Sequence, residues 1–289
     1  MKPAPFEYVR AASVREAIAL LDHDDAKIIA GGQSLVPMMN FRLAQPERIV
    51  DINAIAELSG IREDGSDIVI GSLVRHAEAM RSPLLARHFP VIAEAMHHVA
   101  HLAIRNRGTI GGSLVHADPS AEWPLLVALL DGEIVAEGPD GCRTVKADEF
   151  FVAPLVTEID ETEILVAVRF PKPAPGAGMA FDEVARRAGD FAVASAGALV
   201  SVEDGVMREV RVALGGVGDG PVRATAVEEE LTGRVADKVS ISDTVELACE
   251  GLEPETDIHA SAEYRLSLVP VLVRRVLERA VLRAGAGAA

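Results

Sequence analysis

Apolar residues near the N-terminus recur first at helical spacing and then in short strand-like runs. Residues 14–21 carry apolar side chains at positions 14, 17, 18 and 21, and Ser13 precedes them as an N-cap candidate, which predicts an amphipathic helix. A short apolar strand is predicted at 27–30 and ends at a pair of glycines. A helix at 34–43 and a strand at 48–52 follow, so this region is expected to form a βαβ unit.

Between residues 66 and 170 the pattern changes from strand to helix and back to strand. It predicts, in order, a strand at 66–71, a helix at 83–102, a loop at 105–113, a buried helix at 123–130, and strands at 133–137, 143–146 and 163–170. The loop prediction rests on one asparagine and three glycines. The helix at 123–130 is apolar on every side, which is typical of a helix enclosed in a core.

A segment rich in proline and glycine, Pro171–Gly178, divides the chain. Beyond it the sequence predicts two strands at 191–202 and 208–214, an acidic helical stretch at 227–257, and a long amphipathic helix at 264–283. Strands followed by helices indicate an α+β module. We therefore expect two domains, at residues 1–172 and 178–285.

The composition limits the classes of partner. The chain has 289 residues and a formal net charge of −16, from 44 acidic and 28 basic side chains. A surface this acidic repels phosphate backbones, so neither nucleic acid nor an anionic membrane is expected as a partner. The two cysteines, Cys142 and Cys249, are too few for a disulfide framework or an iron–sulfur cluster. This cysteine usage and the lack of an apolar run of about 20 residues predict a cytoplasmic protein without a membrane span.

The first candidate site is the glycine pair in Ala30-Gly31-Gly32-Gln33-Ser34. Glycine permits positive φ angles, so successive N–H groups can point into one concavity and bind a phosphate or a diphosphate. The predicted helix that follows would add its positive N-terminal end. The spacing matches neither the Rossmann nor the Walker fingerprint. The alternative interpretation is a plain tight turn.

A second glycine-rich segment, Gly108-Thr109-Ile110-Gly111-Gly112-Ser113, carries two hydroxyl groups and is followed by Glu122. Two such segments in one domain can hold the two ends of a diphosphate, and an acid beyond them can accept hydrogen bonds from a ribose. The alternative is a pair of unrelated turns. A third glycine-rich segment, at residues 215–220, is interpreted as a turn.

The histidines at positions 88, 97, 98 and 101 suggest a metal site only weakly, because no third ligand is evident beside the pair at 97 and 101. We interpret them as the end of a helix and predict no metal ligands. Cys142 has no neighbouring histidine and is not predicted to be a nucleophile, so no catalytic residue is assigned.

Taken together, the two loops are similar to the FAD-diphosphate loops of the flavoprotein (medium) subunits of molybdenum hydroxylases, the family of aerobic carbon monoxide dehydrogenase and xanthine dehydrogenase. The resemblance extends over nearly the whole chain. Its blocks are Ala30–Leu43, Arg48–Ile52, Thr109–Ser113, Asp118-Pro119, Glu163–Leu165, Arg186–Asp190, Leu214–Gly218, Pro221–Ala224 and Ala262–Arg265. It implies an α+β fold, with a two-lobed FAD-binding domain of the vanillyl-alcohol-oxidase (PCMH) type before a small α+β C-terminal domain.

The resemblance also implies which residues bind the cofactor. They are Ala30, Gly31, Gly32, Gln33, Ser34 and Leu35 in the first loop, Thr109, Ile110, Gly111, Gly112 and Ser113 in the second, and Glu122, Leu165 and Phe191 elsewhere. Glu122 stands where the family commonly has an aspartate near the ribose and adenine, and Gln33 where the carbon monoxide type has histidine. Phe191 keeps a stacking surface where an aromatic residue often lies against the flavin. Glu183 stands where many relatives have lysine, which is a reversal of charge.

The family resemblance implies an oxidoreductase subunit that binds FAD non-covalently and transfers electrons. A molybdopterin-binding large subunit would oxidise the substrate, and an iron–sulfur small subunit carrying [2Fe-2S] clusters would relay electrons to the FAD, in a dimer of heterotrimers. Two other functions stay open at this point. One is a self-sufficient FAD-dependent oxidase of the same fold, and the other is a non-catalytic acidic binding module.

The predicted C-terminal helix is basic in an otherwise acidic chain. Arg275, Arg279 and Arg283 share one face at a spacing of four residues. They either pair with the acidic stretch at 227–257 or dock a partner subunit, since arginine is enriched at protein interfaces.

Overall fold

The computed structural model describes residues 2–286. Its first lobe, near the N-terminus, is a small parallel sheet with two helices. The elements are β1 (Glu7–Arg10), α1 (Val14–Leu21), β2 (Ala26–Ile29), α2 (Leu35–Asn40) and β3 (Arg48–Asp51). The strand order is β1-β3-β2, and both pairs are parallel, as the predicted βαβ unit requires. Ser13 caps α1 by accepting a hydrogen bond from the Glu16 N–H, which confirms the predicted start of that helix.

The second lobe is an antiparallel sheet covered by helices. Its strands are β4 (Ile61–Asp64), β5 (Asp67–Gly71), β6 (Glu133–Gly138), β7 (Gly141–Lys146) and β10 (Ile164–Pro171), in the order β4-β5-β10-β6-β7. A hairpin of β8 (Phe151–Ala153) and β9 (Val156–Thr157) lies beside it. The helices are α3 (His76–Arg81), α4 (Pro83–His88), α5 (Pro90–His98), α6 (Leu102–Arg105), α7 (Ile110–His116), α8 (Glu122–Leu129) and α9 (Ala147–Phe150).

Two predictions in this lobe are wrong. The single helix expected at 83–102 is divided into α4, α5 and α6. Phe89 leaves the helical region because the residue before a proline is disfavoured there, and Pro90 starts the next helix. The loop expected at 105–113 includes the start of α7, where the Thr109 hydroxyl caps the helix by accepting from the Gly112 N–H.

The part of the chain beyond residue 177 forms one antiparallel sheet and a helical layer. The strands are β11 (Gly178–Ala185), β12 (Ala192–Glu203), β13 (Val206–Gly215) and β14 (Val222–Arg223), and the helices are α10 (Thr225–Leu231), α11 (Lys238–Ser242) and α12 (Ala262–Ala286). Short 3₁₀ turns lie at Ala56–Leu58 and Val245–Cys249. The expected α+β class is confirmed, since the sheet packs its alanine- and valine-rich face against α12. Within residues 2–286, no helix combines the length and apolar character that crossing a lipid bilayer would need.

Helix α8 joins the two parts of the molecule. All eight of its residues are buried, as predicted, and it packs against α5 and α7 of the second lobe and against β12 and β13 beyond the linker. Leu125 and Leu129 lie against Gly197 on β12, where a side chain would collide with them. The first residue of α8, Glu122, is therefore placed where the lobes and the C-terminal sheet meet.

Three arginines of α12 form ion pairs with acidic side chains of the same chain. Arg279 and Arg283 pair with Glu94 on α5 at 3.4 and 2.8 Å, and Arg275 lies 3.7 Å from Asp182 on β11. Arg279 also donates to a carbonyl of β11. The expected pairing of these three with the 227–257 stretch is thus wrong, because the turn of α12 directs them toward α5 and β11. Their charged groups hold the C-terminal part against the second lobe.

Candidate functional site

A cavity of about 500 Å³ lies between the two lobes and is closed on one side by the segment that leads into β12. This volume is in the range of pockets that bind small molecules and cofactors. Its walls come chiefly from residues 27–35 of the first lobe, 108–116 around the start of α7, 118–122 before α8, 164–165 on β10, and 189–191 beyond the linker, and residues 99–104, Ser72 and His76 also contribute.

The first glycine loop presents unused hydrogen-bond donors to this cavity. The backbone N–H groups of residues 31–35 donate to no acceptor in the described part of the chain, whereas the next one, at Val36, donates to the Gly32 carbonyl at 3.1 Å. The Ser34 hydroxyl caps no helix N–H. Gly31 is buried and residues 32–35 are partly exposed, so these five adjacent donors are available to an anionic ligand with several acceptor oxygens.

Two glycines give the first loop its shape. Gly31 lies against the backbone of the second loop, and a Cβ there would stand 2.5 Å from the Arg107 carbonyl oxygen and 2.9 Å from the Gly108 Cα. Gly32 has a φ of +68°, in the left-handed region that other residues avoid. Strand β2 therefore ends in a turn that only glycine forms without strain, and the two loops touch there.

The second glycine loop differs from the first, because most of its N–H groups already donate to acceptors within the chain. Those of Ile110 and Gly111 donate to the carbonyls of Val74 and Ser72 at 3.0 and 2.9 Å, and that of Gly112 donates to the Thr109 hydroxyl. A Cβ at Gly111 would lie 2.6 Å from the Ser72 Cβ. Gly111 thus permits α7 to pack closely on the segment after β5, and the free donors that face the cavity belong to the first loop.

A polar network joins the two loops from behind. Asn53, two residues beyond β3, donates its side-chain amide to the Ala30 carbonyl at 2.8 Å and to Asp51 at 2.6 Å. Arg75 donates to the Asn53 side-chain oxygen at 2.6 Å and also to the Arg107 carbonyl. The ends of both loops are therefore fixed by one chain of hydrogen bonds, which positions the cavity wall before any ligand binds.

His76 and Trp123 form a second buried contact beside the cavity. The indole N–H of Trp123 donates to His76 Nδ1 at 2.8 Å, and the imidazole ring lies against Gly108. Burial lowers the pKa of His76 to about 4, with the charges of Arg75 and Arg105 acting in the same direction. His76 is therefore neutral near pH 7 and supports the second loop as a hydrogen-bond acceptor.

Glu122 is the buried acid of the cavity wall. Its residue is 8 % exposed, and burial raises the pKa of its carboxyl to about 8, with the negative charge of Glu183 adding to the shift. Glu183, on β11, has a side chain that is 3 % exposed and pairs with His98 Nδ1 at 3.3 Å. The carboxylate of Glu183 raises the pKa of His98 in turn. The Glu122 carboxyl is therefore protonated in the folded chain near pH 7.

Replacing Glu122 by glutamine is expected to change the pH dependence of stability. The folded chain keeps the Glu122 proton up to a pH of about 8, whereas the unfolded chain releases it near the ordinary value of 4.5, so the folded state loses stability as the pH rises between these values. Glutamine has no proton to lose. The melting temperature of Glu122→Gln should be several degrees higher than that of the original chain at pH 8.5. The two melting temperatures should converge near pH 5. The exposed Glu229→Gln is the matched control, and an equal difference at every pH would refute the buried ionisation.

The structure brings the residues singled out from the sequence to one place, with one exception. Ala30, Gly31, Gly32, Gln33, Ser34, Leu35, Thr109, Gly111, Gly112, Ser113, Glu122, Leu165 and Phe191 all line the cavity. Ile110 does not, because its side chain is fully buried in the core of the second lobe. Phe191 lies at the rim with 61 % of its surface exposed. The described residues contain no cluster of three side chains able to hold a metal ion.

Four residues of the site were not found from the sequence: Asn53, Arg75, His76 and Trp123. Asn53, Arg75 and Trp123 lie behind the cavity wall and His76 forms part of it, and each makes a hydrogen bond to a residue 22 to 47 positions away. One local signal was present for Asn53, because Asp51-Ile52-Asn53 follows a strand directly, and such polar residues at strand ends often fix a neighbouring turn. The other three carry no local signal.

Comparison with known families and proteins agrees with this geometry. Residues 4–173 match the model of the family described as FAD binding domain in molybdopterin dehydrogenase, and residues 179–280 match that of the CO dehydrogenase flavoprotein C-terminal domain. The 6-hydroxypseudooxynicotine dehydrogenase complex subunit alpha of Paenarthrobacter nicotinovorans is 41% identical over 98% of this chain and 97% of its own length.

Solved structures show the same similarity over the full fold. A chain of carbon monoxide dehydrogenase from Hydrogenophaga pseudoflava superimposes with a TM-score of 0.95 at 40% identity, covering 98% of this chain and 99% of its own. A chain of quinoline 2-oxidoreductase from Pseudomonas putida 86 gives a TM-score of 0.94 at 40% identity, with the same coverage of both chains. The similarity thus extends across both parts of the molecule.

Proposed function

Because this chain belongs to the FAD-binding subunits of molybdenum hydroxylases, the family of carbon monoxide dehydrogenase medium chains and xanthine dehydrogenase FAD-binding subunits, we propose that it transfers electrons through an FAD held in the cavity between its lobes. The observation that carries the proposal is the row of five free N–H groups at residues 31–35. They fit a diphosphate, which is the part of FAD with the highest charge. The domains of this subunit are assigned to residues 1–172 and 178–285.

The chain's own residues bind and orient the cofactor. In this proposal the first loop donates hydrogen bonds to the diphosphate, the Ser34 hydroxyl adds a further donor, and the network through Asn53 and Arg75 holds the loop in place. Leu165 and Ile164 on β10 supply an apolar wall, and Phe191 offers an exposed ring at the rim. When bound, FAD supplies redox chemistry that accepts electrons singly and releases them singly or in pairs.

The second loop is assigned a supporting role in cofactor binding. The Thr109 and Ser113 hydroxyls line the cavity, while Ile110 and Gly111 use their N–H groups to fix α7. Binding through this loop thus depends on side-chain hydroxyls and on the close approach that Gly112 permits. The negative charge of the diphosphate is compensated chiefly by the first loop, which needs no lysine or arginine for it.

The partners follow from what this chain lacks and from the names of its relatives. Its two cysteines are apart, Cys142 exposed on β7 and Cys249 half-buried near α12, so they are not placed to hold a cluster together. The relatives are named as subunits or medium chains of dehydrogenases. We assign the [2Fe-2S] clusters to a small subunit and the molybdopterin to a large subunit, in a dimer of heterotrimers. The final electron acceptor receives electrons from the FAD of this chain.

We expect the purified chain to show flavin absorbance, or to gain it when FAD is added, and acid precipitation to release the colour into the supernatant because binding is non-covalent. The loaded chain alone should accept electrons from dithionite yet oxidise no purine, aldehyde or carbon monoxide, since substrate oxidation belongs to the partner.

Three results would contradict parts of this proposal. Colour retained in the acid pellet would contradict non-covalent binding, and substrate turnover by the single chain would favour the self-sufficient oxidase. A folded chain that takes up no FAD would favour the acidic binding module and overturn the proposal as a whole.

A further inference from the structure

Arg265 is a buried cation near the start of α12. Its residue is 7 % exposed, and among residues 2–286 it is the only lysine or arginine that is buried. A buried charge is unfavourable unless it is paired and hydrogen-bonded. The hydrogen bonds of Arg265 therefore indicate what this side chain does in the fold.

One nitrogen of the Arg265 guanidinium joins the ends of two strands. Nη1 donates to the Val193 carbonyl at 2.6 Å and to the Gly216 carbonyl at 2.8 Å. Val193 lies at the start of β12, and Gly216 directly follows β13. Hydrogen bonds from a charged donor are shorter and stronger than those between neutral groups. The guanidinium thus fixes these two strand ends relative to each other.

Both strand ends continue into the wall of the cavity. Val193 comes two residues after Phe191, and residues 189–191 line the cavity. The N–H of Gly216 donates to the Pro119 carbonyl at 2.8 Å, and Pro119 belongs to the wall segment 118–122. The two segments come from opposite sides of the linker. Arg265 therefore connects them across the place where the C-terminal part meets the second lobe.

The backbone is closely packed at both ends of the segment 189–193. Gly216 has a φ of +73°, and a Cβ there would stand 2.9 Å from the Val193 carbonyl oxygen. At the other end, a Cβ on Gly189 would stand 3.0 Å from the carbonyl oxygen of Ala100, which also lines the cavity. The segment is thus held between Ala100 at one end and the Arg265 contacts at the other.

The charge of Arg265 is balanced on the side away from these carbonyls. Nη2 donates to Asp257 Oδ2 at 2.9 Å, and the Asp257 side chain is 42 % exposed. The other oxygen of Asp257 accepts the N–H groups of His259 and Ala260 at 2.8 and 2.9 Å. The two nitrogens therefore have separate partners, so that the ion pair and the carbonyl contacts are separable by substitution.

We infer that Arg265 is a positioning residue of the cofactor cavity, which holds the wall segments 189–191 and 118–122 together through Val193 and Gly216 and thereby slows the release of bound FAD. The inference rests on the proposed function, since the ligand is the FAD of this cavity. Arg265 does not line the cavity itself, so it acts only through the segments that do.

The test measures the rate of FAD release and the melting temperature on the same preparations. The full chain loaded with FAD is mixed with an excess of a second apo-flavoprotein, which traps each FAD that is released. Arg265→Met removes the donors and keeps an apolar side chain. We expect it to release FAD faster than the original chain by roughly tenfold or more, and to bind FAD at a rate that changes less.

Two variants separate the carbonyl contacts from the ion pair. Asp257→Asn removes the charge partner and leaves both carbonyl contacts of Nη1, so FAD release should stay as slow as in the original chain. Arg265→Lys keeps the charge and has an ammonium group that can donate to both carbonyls. Its release rate should lie between those of the original chain and Arg265→Met, and it also provides the test if Arg265→Met does not fold.

Arg223→Met is the matched control for weaker docking of the C-terminal part. Arg223 likewise donates to a carbonyl of α8, that of Ala128 at 3.0 Å, and pairs with Asp131 and Glu228 at 2.7 Å. None of these four residues lines the cavity. This variant should melt earlier than the original chain and release FAD at the original rate.

Amide hydrogen exchange of the FAD-free chain supplies a readout that needs no cofactor. The Gly216 N–H, which donates to Pro119, should exchange faster in Arg265→Met than in the original chain. In Arg223→Met and in Asp257→Asn its exchange should remain as in the original chain.

The inference is overturned if Arg265→Met releases FAD at the original rate, or if the exchange of the Gly216 N–H is unchanged in it. It is also overturned if Arg223→Met accelerates release equally, because weaker docking then explains the effect, or if Arg265→Lys releases FAD as fast as Arg265→Met. An original chain that takes up no FAD contradicts the proposed function itself, whereas a loaded Arg265→Met chain that retains FAD overturns only the role of Arg265.

Discussion

Gly32→Val is expected to lower the affinity of the chain for FAD by at least roughly tenfold. The backbone of Gly32 has a φ of +68°, and a β-branched residue in the left-handed region costs about 1–2 kcal/mol or more. We expect the loop backbone to change conformation at position 32 to relieve that strain. Its N–H groups then no longer converge on the diphosphate. FAD titration followed by fluorescence quenching measures the loss.

Gly65→Val provides the matched control for backbone strain. Gly65 has a φ of +61° in the exposed turn between β4 and β5, and nothing lies within 4 Å of where its Cβ would stand. The same substitution there imposes similar strain away from the cavity. Both variants should melt earlier than the original chain, and only Gly32→Val should lose FAD. Equal affinities in the two variants would refute the assignment of the first loop.

Gly111→Val is expected to destabilise the fold itself, by about 3 kcal/mol. A Cβ at this position would lie 2.6 Å from the Ser72 Cβ and 2.9 Å from the Ser72 carbonyl oxygen, which also accepts the Gly111 N–H. Because the neighbour is backbone, it cannot rotate away, and α7 must move off the segment after β5. Urea denaturation of the FAD-free chain measures the loss of stability without any contribution from cofactor binding.

Gly112→Ala, one residue along the same helix turn, is the comparison for this effect. Its added Cβ would meet only the Thr109 hydroxyl, at 2.8 Å, which is the end of a side chain. We expect it to cost clearly less stability than Gly111→Val. If the two variants unfold at the same urea concentration, the close packing of Gly111 on Ser72 does not hold α7 in place.

The sequence predicted elements well where periodicity and caps agree. The βαβ unit of the first lobe, the buried helix α8 and the long helix α12 all carry strong patterns, and each appears within a few residues of its predicted place. The predicted helix at 83–102 failed at Phe89-Pro90, although proline is a known helix breaker, because the apolar pattern continues across it. The restriction that Pro90 places on the backbone of Phe89 outweighs the apolar periodicity there.

The sequence predicted most of the residues that line the cavity, but it did not predict the different roles of the two glycine loops. Both glycine pairs were found, but a glycine that frees N–H groups, as Gly31 and Gly32 do, looks the same in sequence as Gly111, which permits close packing. The distinction depends on contacts with Arg107 and Ser72, which are distant along the chain. Glu122 was predicted to contact the ribose, which stays a prediction, and its burial follows from the packing of α8 against α5, α7, β12 and β13.

The arginines of α12 illustrate the same limit. Their shared face was predicted from spacing, yet the acid that receives Arg279 and Arg283 is Glu94, in the other part of the molecule. Nothing in the sequence pairs residues so far apart. Ion pairs across a domain seam follow from the docking of whole elements, and so they become visible only in the assembled fold.

Amide hydrogen exchange with and without FAD tests the binding account most directly. Among residues 2–286 the N–H groups of residues 31–35 have no acceptor, whereas those of Ile110 and Gly111 are already hydrogen-bonded. The account predicts that FAD slows exchange strongly at residues 31–35 and changes it little at Ile110 and Gly111. Protection that appears at Ile110 and Gly111 while residues 31–35 continue to exchange freely would contradict it.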